Sequence, residues 1–232
     1  MSIAQAMVLA AGRGERMRPL TDTCPKPLLA VKGKPLMGYH LDAFAHGGFR
    51  DVVVNTAWLG EQIEDHYGPE TAEGVRITYS HEGKDFGGAL ETAGGIARAL
   101  PLLDEVFWIV AGDVYMPQFA FTRAAYERFA AGGKLAHLYL VPNPPHNPKG
   151  DFAMTADGLA SNAPEGRLTY STVGLYRKAL FASLPAGNPN GEKVKLAPLL
   201  RQAMDRGEVT AELYDGAWVD VGTPERLAAL NS

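Results

Sequence analysis

Residues 9–27 read LAAGRGERMRPLTDTCPKP and join a short apolar strand to a glycine turn. Gly12 and Gly14 allow the backbone to bend sharply, so that its N–H groups can approach anionic oxygens. The same stretch holds four basic residues and two acids: Arg13, Arg16, Arg18, Lys26, Glu15 and Asp22. Guanidinium and ammonium groups around such a turn neutralise negative charge. The stretch therefore predicts a phosphate-binding loop after the first strand, with a triphosphate as the expected ligand.

The charge of the chain is distributed unevenly. The 232 residues carry a net charge of −4, yet residues 1–34 hold six Lys and Arg against two acids. Local positive charge suits a small anionic ligand, whereas nucleic acid usually needs a broad basic surface. The composition therefore predicts no nucleic-acid partner.

The composition also bounds the class of protein. A hydrophobic content of 46% is enough to build a full core. No apolar run approaches the roughly 20 residues of a membrane span, and no signal peptide is recognisable, so we expect a cytoplasmic protein without a membrane partner. The one cysteine, Cys24, excludes internal disulfides, and the six histidines lack metal-ligand spacing. Zinc chemistry is not expected.

Apolar, β-branched runs alternate with helical patterns in the first half of the chain, which predicts a parallel sheet. Strands are expected over residues 6–10, 51–55, 75–79, 106–110, 135–141, 151–155, 169–176, 209–214 and 218–221. Helices are expected from Leu36 to the stop at Gly47, over residues 61–67, 91–100, 121–131 and 196–206, and from Pro224. Residues 142–150 and 185–191, rich in Pro, Gly and Asn, are expected to be surface loops.

Two common glycine-loop motifs do not fit. Met17 stands where the dinucleotide-binding pattern requires its third glycine. No Lys-Ser or Lys-Thr pair follows a glycine at the spacing of a P-loop. The loop must therefore belong to another phosphate-binding class.

Two aspartates follow or interrupt apolar strands elsewhere in the chain. Asp113 ends the run FWIVAGD, and ligands bind at the carboxyl ends of strands in open α/β sheets, so we expect Asp113 beside the glycine loop. Asp220 lies within WVDVG, where an ionised acid needs compensation. Together they predict one shared Mg²⁺, an ion that accepts few carboxylates and also binds phosphate oxygens. The alternative is that Asp113 caps a turn and Asp220 pairs with a nearby arginine.

These residues together resemble the sugar-1-phosphate nucleotidylyltransferases. The resemblance rests on residues 9–21, on PKPL at 25–28, on Gly112-Asp113 and on WVDVGT at 218–223, and it runs essentially end to end. It implies a single domain over residues 1–232 with a Rossmann-like three-layer sandwich and a mixed, mostly parallel central sheet. The nucleotide-binding half would span about residues 1–115, and the sugar-phosphate-binding half about residues 116–232.

Within that family, the phrases AWLG (57–60), LET (90–92), GDF (150–152) and KLAPLLRQA (195–203) are most similar to the enzymes of cell-wall sugar recycling that use UTP and N-acetylmuramate 1-phosphate. The sequence departs from relatives at Ala111, where Asn is common, and through an insertion at 84–89. Mannose, heptose or glucose 1-phosphate or phosphocholine as substrate, with GTP, dTTP or CTP, therefore stay open as alternatives. A non-catalytic nucleotide-binding regulatory module is an alternative of another class.

The resemblance implies a Mg²⁺-dependent displacement with assigned roles. An oxygen of the sugar 1-phosphate attacks the α-phosphorus of the nucleoside triphosphate and expels pyrophosphate. Arg16 would hold the β- and γ-phosphates, Lys26 the α-phosphate region, and Asp113 and Asp220 the metal. A phosphate monoester has a second pKa near ~6, so the nucleophile needs no general base.

Binding residues follow partly from residue size and charge. Ala10, Ala11 and Gly12 let backbone approach a base, and Glu82, expected on the loop after the third strand, could accept a hydrogen bond from it or face solvent. The nucleotide-binding set is Leu9, Ala10, Ala11, Gly12, Gly14, Glu15, Arg16, Lys26, Glu82 and Gly94. Gly94 and Gly95 would let a ribose or base lie close, and the alternative for them is a simple packing role. For the sugar phosphate we expect Asp151 and Lys195, with Lys193 competing for the lysine role; the choice between monomer and homodimer is left open.

Overall fold

The computed structural model describes residues 3–232, and its central feature is a seven-stranded sheet. The strands are β1 (Ala4–Leu9), β2 (Ala30–Val31), β3 (Lys34–Pro35), β4 (Asp51–Thr56), β5 (Arg76–His81), β6 (Leu103–Ala111), β7 (Val114–Tyr115), β8 (Ala136–Val141), β9 (Ala153–Met154), β10 (Ala160–Ser161), β11 (Thr169–Arg177), β12 (Val209–Leu213) and β13 (Val219–Asp220). The helices are α1 (Leu20–Thr23), α2 (Leu36–His46), α3 (Gly60–Tyr67), α4 (Glu82–Phe86), α5 (Glu91–Ala99), α6 (Arg123–Ala131), α7 (Leu196–Asp205) and α8 (Pro224–Asn231).

The large sheet is mixed but mostly parallel, as predicted. Its strand order is β12-β8-β11-β6-β1-β4-β5. Strand β11 runs antiparallel to both neighbours, and all the other pairs are parallel. The carboxyl ends of β1, β4, β5 and β6 therefore meet at one edge, where ligands bind in such sheets.

Both faces of the sheet are covered, which gives the expected three-layer sandwich. Along β6, Phe107 and Ile109 belong to one buried cluster and Trp108 and Val110 to the other, because successive strand side chains point to opposite faces. Helices α5 and α7 contribute to the first cluster, and α2, α3 and α6 to the second. The Rossmann-like architecture is confirmed.

A short antiparallel ribbon brings the two aspartates of interest together. Strand β13 pairs with β7, and Asp220 stands opposite Val114, the residue after Asp113. The backbone N–H of Val221 also donates to the carbonyl oxygen of Asp113, at 3.2 Å. The ribbon thus brings together two segments that are more than 100 residues apart in the sequence, and both acids lie at the same edge of the sheet.

Several element boundaries differ from the sequence-based prediction. The strand expected over 151–155 is reduced to β9, and residues 82–86 form α4 instead of a loop. Helix α6 begins two residues later than expected, because the Thr122 hydroxyl caps it by accepting from the N–H of Ala125. The loops predicted at 142–150 and 185–191 contain no helix or strand. Within residues 3–232, no helix combines the length and apolar character required to cross a membrane.

Candidate active site

The glycine loop after β1 is fixed by contacts with the following turn. Gly14 adopts a φ of 66°, a conformation that favours glycine, and its carbonyl accepts from the hydroxyl of Thr21 at 2.9 Å. Arg13 donates to the Thr21 carbonyl at 2.8 Å and stacks over Trp58, 3.9 Å from the ring centroid. These bonds hold Arg13 in a structural position and shape the loop for the residues around it.

The glycine loop and Asp113 enclose a cavity of about 280 Å³, called here the phosphate cavity. Its lining residues are Leu9, Ala10, Gly12, Gly14, Glu15, Arg16, Met17, Lys26, Pro27, Asp113 and Gly222. Seven of the ten predicted nucleotide-binding residues are among them. Arg16 forms no ion pair with any residue from 3 to 232, so its charge is available to an anionic ligand.

Lys26 is positioned in this cavity by an ion pair with Asp113. Its ammonium lies 2.5 Å from Asp113 Oδ2, and the lysine side chain is only 9% exposed. Pro25 and Pro27 flank Lys26, which restricts the backbone from which the side chain starts. The carboxylate remains 35% exposed, so it can meet a ligand while it holds the lysine.

Asp220 approaches the same cavity from β13. Its Oδ2 accepts from Arg226 Nη1 at 2.9 Å and lies 3.5 Å from His146 Nε2. The salt bridge between Asp220 and Arg226 is the alternative that the sequence left open for this acid. Asp220 forms it while it also lies beside the phosphate cavity. A Cβ atom on Gly222 would lie 3.1 Å from both Asp220 Oδ1 and Arg16 Nη2. Gly222 therefore leaves room for an acid and a base to converge there.

The two aspartates fit a magnesium site that relies on the substrate for other ligands. Among residues 3–232, no cluster of three or more His, Cys, Asp and Glu side chains is arranged to hold a metal. Asp113 and Asp220 are both partly exposed, and each is compensated by a cation. A pair of carboxylates with access to phosphate oxygens and water is the donor set that Mg²⁺ prefers.

A second cavity of about 700 Å³ opens beside the first and is called here the sugar cavity, after the residues in its lining that the sequence predicts to bind the sugar phosphate. The two cavities share Leu9, Gly12 and Asp113. The second one also contains Asp151 and Lys195, the residues predicted for the sugar phosphate, together with Lys193. The residues predicted to bind the nucleotide and those predicted to bind the sugar phosphate thus line two adjoining cavities.

Asp151 and the lysines of the sugar cavity differ in how they are held. Asp151 Oδ2 accepts from the backbone N–H of Tyr170 at 2.8 Å and from Asn147 Nδ2 at 3.2 Å. Lys193 and Lys195 are exposed, and neither forms an ion pair with a residue in the described part of the chain. Asp151 is therefore held in place by hydrogen bonds, whereas the ammonium groups of Lys193 and Lys195 are available to bind an anion.

Glu82 occupies a different environment from the solvent-facing position considered for it. Its side chain is fully buried, and burial raises the pKa of the carboxyl group. Its Oε1 accepts from Asn55 Nδ2 at 2.6 Å, and Oε2 accepts from the N–H of Leu90 at 2.7 Å. Asn55 Oδ1 in turn accepts from the N–H of Ala10 at 2.8 Å. Glu82 therefore supports the glycine loop through Asn55, although it and Ala11 also line the sugar cavity.

Sequence reasoning missed Asn55. The residue follows the apolar run VVV at the end of β4, and a buried amide after such a run is the signal that could have revealed it. Its side chain satisfies the backbone of a neighbouring strand, which explains why a polar residue is tolerated there.

Gly94, which belongs to the predicted nucleotide-binding set, and its neighbour Gly95 lie inside α5 and line neither cavity. A Cβ atom on Gly94 would lie 2.4 Å from the carbonyl oxygen of Glu192, and one on Gly95 would lie 2.4 Å from Glu82 Oε1. Both glycines therefore permit close packing. Gly94 does so against the segment that carries Lys193 and Lys195.

Comparison with known proteins agrees with this geometry. The family profile described as "Nucleotidyl transferase" matches residues 5–158. An N-acetylmuramate alpha-1-phosphate uridylyltransferase of Neisseria meningitidis serogroup B is 50% identical over 227 residues, which cover 96% of this chain and 95% of that protein. A protein of the same name from Caulobacter vibrioides is 34% identical and covers 97% of this chain and 94% of its own length.

A solved structure shows the same fold. The structure of a putative glucose-1-phosphate thymidylyltransferase from Bacillus anthracis, in complex with a sucrose, superimposes with a TM-score of 0.80. The alignment covers 98% of this chain and 93% of that one at 19% identity, so it bears on the fold alone. With the family profile and the two relatives of nearly equal length, it follows that the chain belongs to the nucleotidyl transferase family of enzymes.

Proposed function

We propose that this protein transfers the uridylyl group of UTP to N-acetylmuramate α-1-phosphate and releases pyrophosphate, with Mg²⁺ as its metal ion. The observation that carries the proposal is the junction of the phosphate cavity and the sugar cavity at Asp113, beside Lys26. The half-identical Neisseria relative, named for this reaction, supports the choice of substrates. The product, UDP-N-acetylmuramate, would belong to cell-wall sugar recycling in the cytoplasm.

The proposed reaction breaks one phosphoanhydride bond and forms another. An oxygen of the sugar 1-phosphate bonds to the α-phosphorus of UTP, and the bond from that phosphorus to the bridging oxygen breaks. Pyrophosphate leaves with the electron pair. Because the second pKa of a phosphate monoester is about 6, the attacking oxygen is already ionised near neutral pH. Catalysis then depends on alignment and on neutralisation of charge.

The basic residues of the phosphate cavity would divide that work. Lys26, fixed by Asp113, would stabilise charge that develops around the α-phosphate. Arg16, which has no acidic partner within residues 3–232, would bind the β- and γ-phosphates. Asp113 and Asp220 would hold Mg²⁺, which when bound supplies Lewis-acid neutralisation of the phosphate oxygens. The part up to about residue 115 would then bind the nucleotide, and the remainder mainly the sugar phosphate.

The substrate assignment is tested by pyrophosphate release. UTP, GTP, dTTP and CTP are each combined with N-acetylmuramate, glucose, mannose and heptose 1-phosphates, and with phosphocholine, with and without a chelator. We expect the highest kcat/KM for UTP with N-acetylmuramate 1-phosphate, lost on chelation and restored by Mg²⁺. A higher value for another pair would replace these substrates, and release with no pair would indicate a non-catalytic nucleotide-binding module.

The role of Lys26 predicts a loss that is specific to the transition state. Lys26→Met should lower kcat by about 10²- to 10³-fold, the range observed when one preorganised donor is removed. The Kd for UTP should change much less, because Arg16 and the glycine loop remain. Lys32→Met is the matched control, since Lys32 is an exposed lysine of the same segment. Equal effects on kcat and on UTP binding would contradict a transition-state role.

A further inference from the structure

Arg201 is a positively charged residue of the sugar cavity, additional to the predicted Asp151 and Lys195. It lies on α7, half-buried, and lines the cavity wall. Among the described residues 3–232, no carboxylate forms a salt bridge with its guanidinium. A half-buried charge without a counter-ion is costly, so a site that keeps one suggests an anionic ligand.

Neutral hydrogen-bond acceptors hold the guanidinium of Arg201 in place. Nη1 donates to Asn162 Oδ1 at 3.0 Å, and Nη2 donates to the backbone carbonyl of Asp151 at 3.3 Å. The group also lies over the ring of Phe152, 5.0 Å from its centroid. Asn162 is itself fixed, because its Nδ2 donates to the Arg201 carbonyl at 2.9 Å. A guanidinium has five N–H donors, so several stay available for a ligand.

Three basic residues, Lys193, Lys195 and Arg201, line the sugar cavity. A sugar 1-phosphate whose sugar is uncharged carries only one anionic group, its phosphate. Lys193 and Lys195 already offer charge for one phosphate at the start of α7. Arg201 follows Lys195 by six residues, which places its Cα about 9 Å further along the helix axis. That separation is comparable to the span of a sugar ring with a substituent at each end. Arg201 can therefore meet a second anionic group while Lys195 meets the phosphate.

Four acids line the cavity, and none of them provides this second anion. Glu82 is buried and bonded to Asn55 and Leu90, while Asp113 pairs with Lys26. Glu91 forms no salt bridge with Arg201. Asp151 receives its hydrogen bonds on Oδ2 from elsewhere and approaches Arg201 only through its carbonyl oxygen. The charge of Arg201 thus remains to be matched by the ligand.

We propose that Arg201 binds a carboxylate on the sugar and thereby selects an acidic sugar 1-phosphate over a neutral one. This inference rests on the proposed function, because N-acetylmuramate is N-acetylglucosamine with an added ether-linked lactic acid. The planar guanidinium matches the two oxygens of that carboxylate. Arg201 is then the residue that determines specificity, and the reacting phosphates stay with Lys26 and Arg16.

The test compares two sugars that differ only by the lactic acid group. With UTP, Arg201→Gln should lower kcat/KM for N-acetylmuramate 1-phosphate by about 10- to 100-fold, mainly through KM, as expected for a lost charged hydrogen bond. The value for N-acetylglucosamine 1-phosphate should stay within about threefold, since it makes no such bond. Arg201→Lys should recover part of the loss because it keeps the charge. Arg206→Gln, at the exposed end of the same helix, should leave both values unchanged.

A substrate variant makes the test independent of protein folding. Wild-type protein assayed with the carboxamide analogue of N-acetylmuramate 1-phosphate should show a loss similar to that of Arg201→Gln. An equal loss for both sugars in Arg201→Gln, or wild-type rates with the carboxamide, would overturn the role of Arg201. If wild-type protein prefers N-acetylmuramate 1-phosphate and Arg201→Gln keeps that preference, only the present inference fails. If the wild type does not use this sugar, both the inference and the proposed function are refuted.

Discussion

At the scale of single residues, pairing separates side chains that look equivalent in the glycine loop. Arg13 and Arg18 both bind Asp22, at 2.7 and 2.9 Å, whereas Arg16 between them has no acidic partner in the described part of the chain. Asp22 thus neutralises Arg13 and Arg18, whereas the guanidinium of Arg16 is available to a ligand. In the second half of the chain several arginines lack an acidic partner among residues 3–232, and Arg201 is the one of them that lines the sugar cavity.

His40 is another residue whose state depends on its surroundings. It is buried beneath β7, and its Nε2–H donates to the carbonyl of Val114 at 2.9 Å. Burial lowers the pKa of the imidazole to about 4, although the Val114 bond and the charge of Asp113 oppose the shift. The ring is therefore neutral in the folded protein at neutral pH.

The lowered pKa of His40 predicts a loss of stability in acid. Between pH 6.5 and 4 the unfolded chain binds a proton at this residue that the folded chain does not, so the free energy of unfolding decreases as the pH falls. Between pH 7 and 5 the contribution of His40 should fall by about 2 kcal/mol. Urea unfolding at several pH values should show a flatter profile for His40→Gln, whereas His66→Gln, at an exposed histidine, should keep the wild-type slope. Parallel profiles for wild type and His40→Gln would contradict the assignment.

At the scale of elements, α5 and the segment before α7 form one unit. The N–H groups of Ala93 and Gly94 both donate to the carbonyl of Val194, at 2.9 and 3.1 Å. Buried Asn188 donates to the carbonyls of Gly94 and Glu192, at 3.1 and 2.9 Å. Helix α5 therefore sets the position of the lysines that face the sugar cavity.

This coupling predicts that a methyl group on α5 disturbs sugar binding at a distance. In Gly94→Ala the new Cβ would meet the Glu192 carbonyl at 2.4 Å, so the backbone of residues 192–194 must move. We expect a loss of about 1–3 kcal/mol in the free energy of unfolding from overpacking. The KM for the sugar phosphate should rise by about tenfold or more, since small displacements of positioning groups are costly.

The control for this substitution is Gly133→Ala, where no atom of residues 3–232, other than those of Gly133 and its two chain neighbours, lies within 4 Å of the new Cβ. It should change neither stability nor either KM appreciably. If Gly94→Ala instead raised the KM for UTP and left that for the sugar phosphate unchanged, Gly94 would belong to the nucleotide site, as the sequence first indicated.

At the scale of the whole molecule, one sheet joins the two halves of the chain. Strands β12, β8 and β11 come from the second half and pair, through β6, with β1, β4 and β5 of the first. Phe107 and Ile109 of β6 share a cluster with Tyr176 of β11 and Leu200 of α7. We therefore propose that both halves form a single domain and unfold together.

Cooperative unfolding can be followed from both ends of the molecule. Trp58 lies in the first half and Trp218 in the second, both at partly exposed positions. In Trp58→Phe and in Trp218→Phe, urea transitions measured by fluorescence and by far-UV circular dichroism should coincide, because the two halves share sheet and core. A separate transition seen by the remaining tryptophans in either variant would indicate two independent folding units.

The sequence by itself determined the features that local pattern encodes. The alternation of strands and helices gave the mostly parallel sheet, and the glycine loop, Lys26 and Asp113 located the phosphate cavity. The prediction of the sheet was confirmed because backbone conformation and burial period are readable within short windows, whereas the roles of the loop residues stay predictions. Asp220 could also be selected from the sequence, since an ionised acid inside an apolar run requires a compensating cation or hydrogen-bond donors.

Only the tertiary structure decided which groups pair. It buried Glu82 against Asn55 and used Gly94 for packing. It also left Arg16 without an acidic partner among residues 3–232, between two arginines that have one, and placed Arg201 in the sugar cavity. The physical reason is that solvation and hydrogen bonding are set by neighbours from distant parts of the chain. Asn55 and Ala10 meet across 45 positions, and Lys26 and Asp113 across 87, so no local window contains both members of either contact.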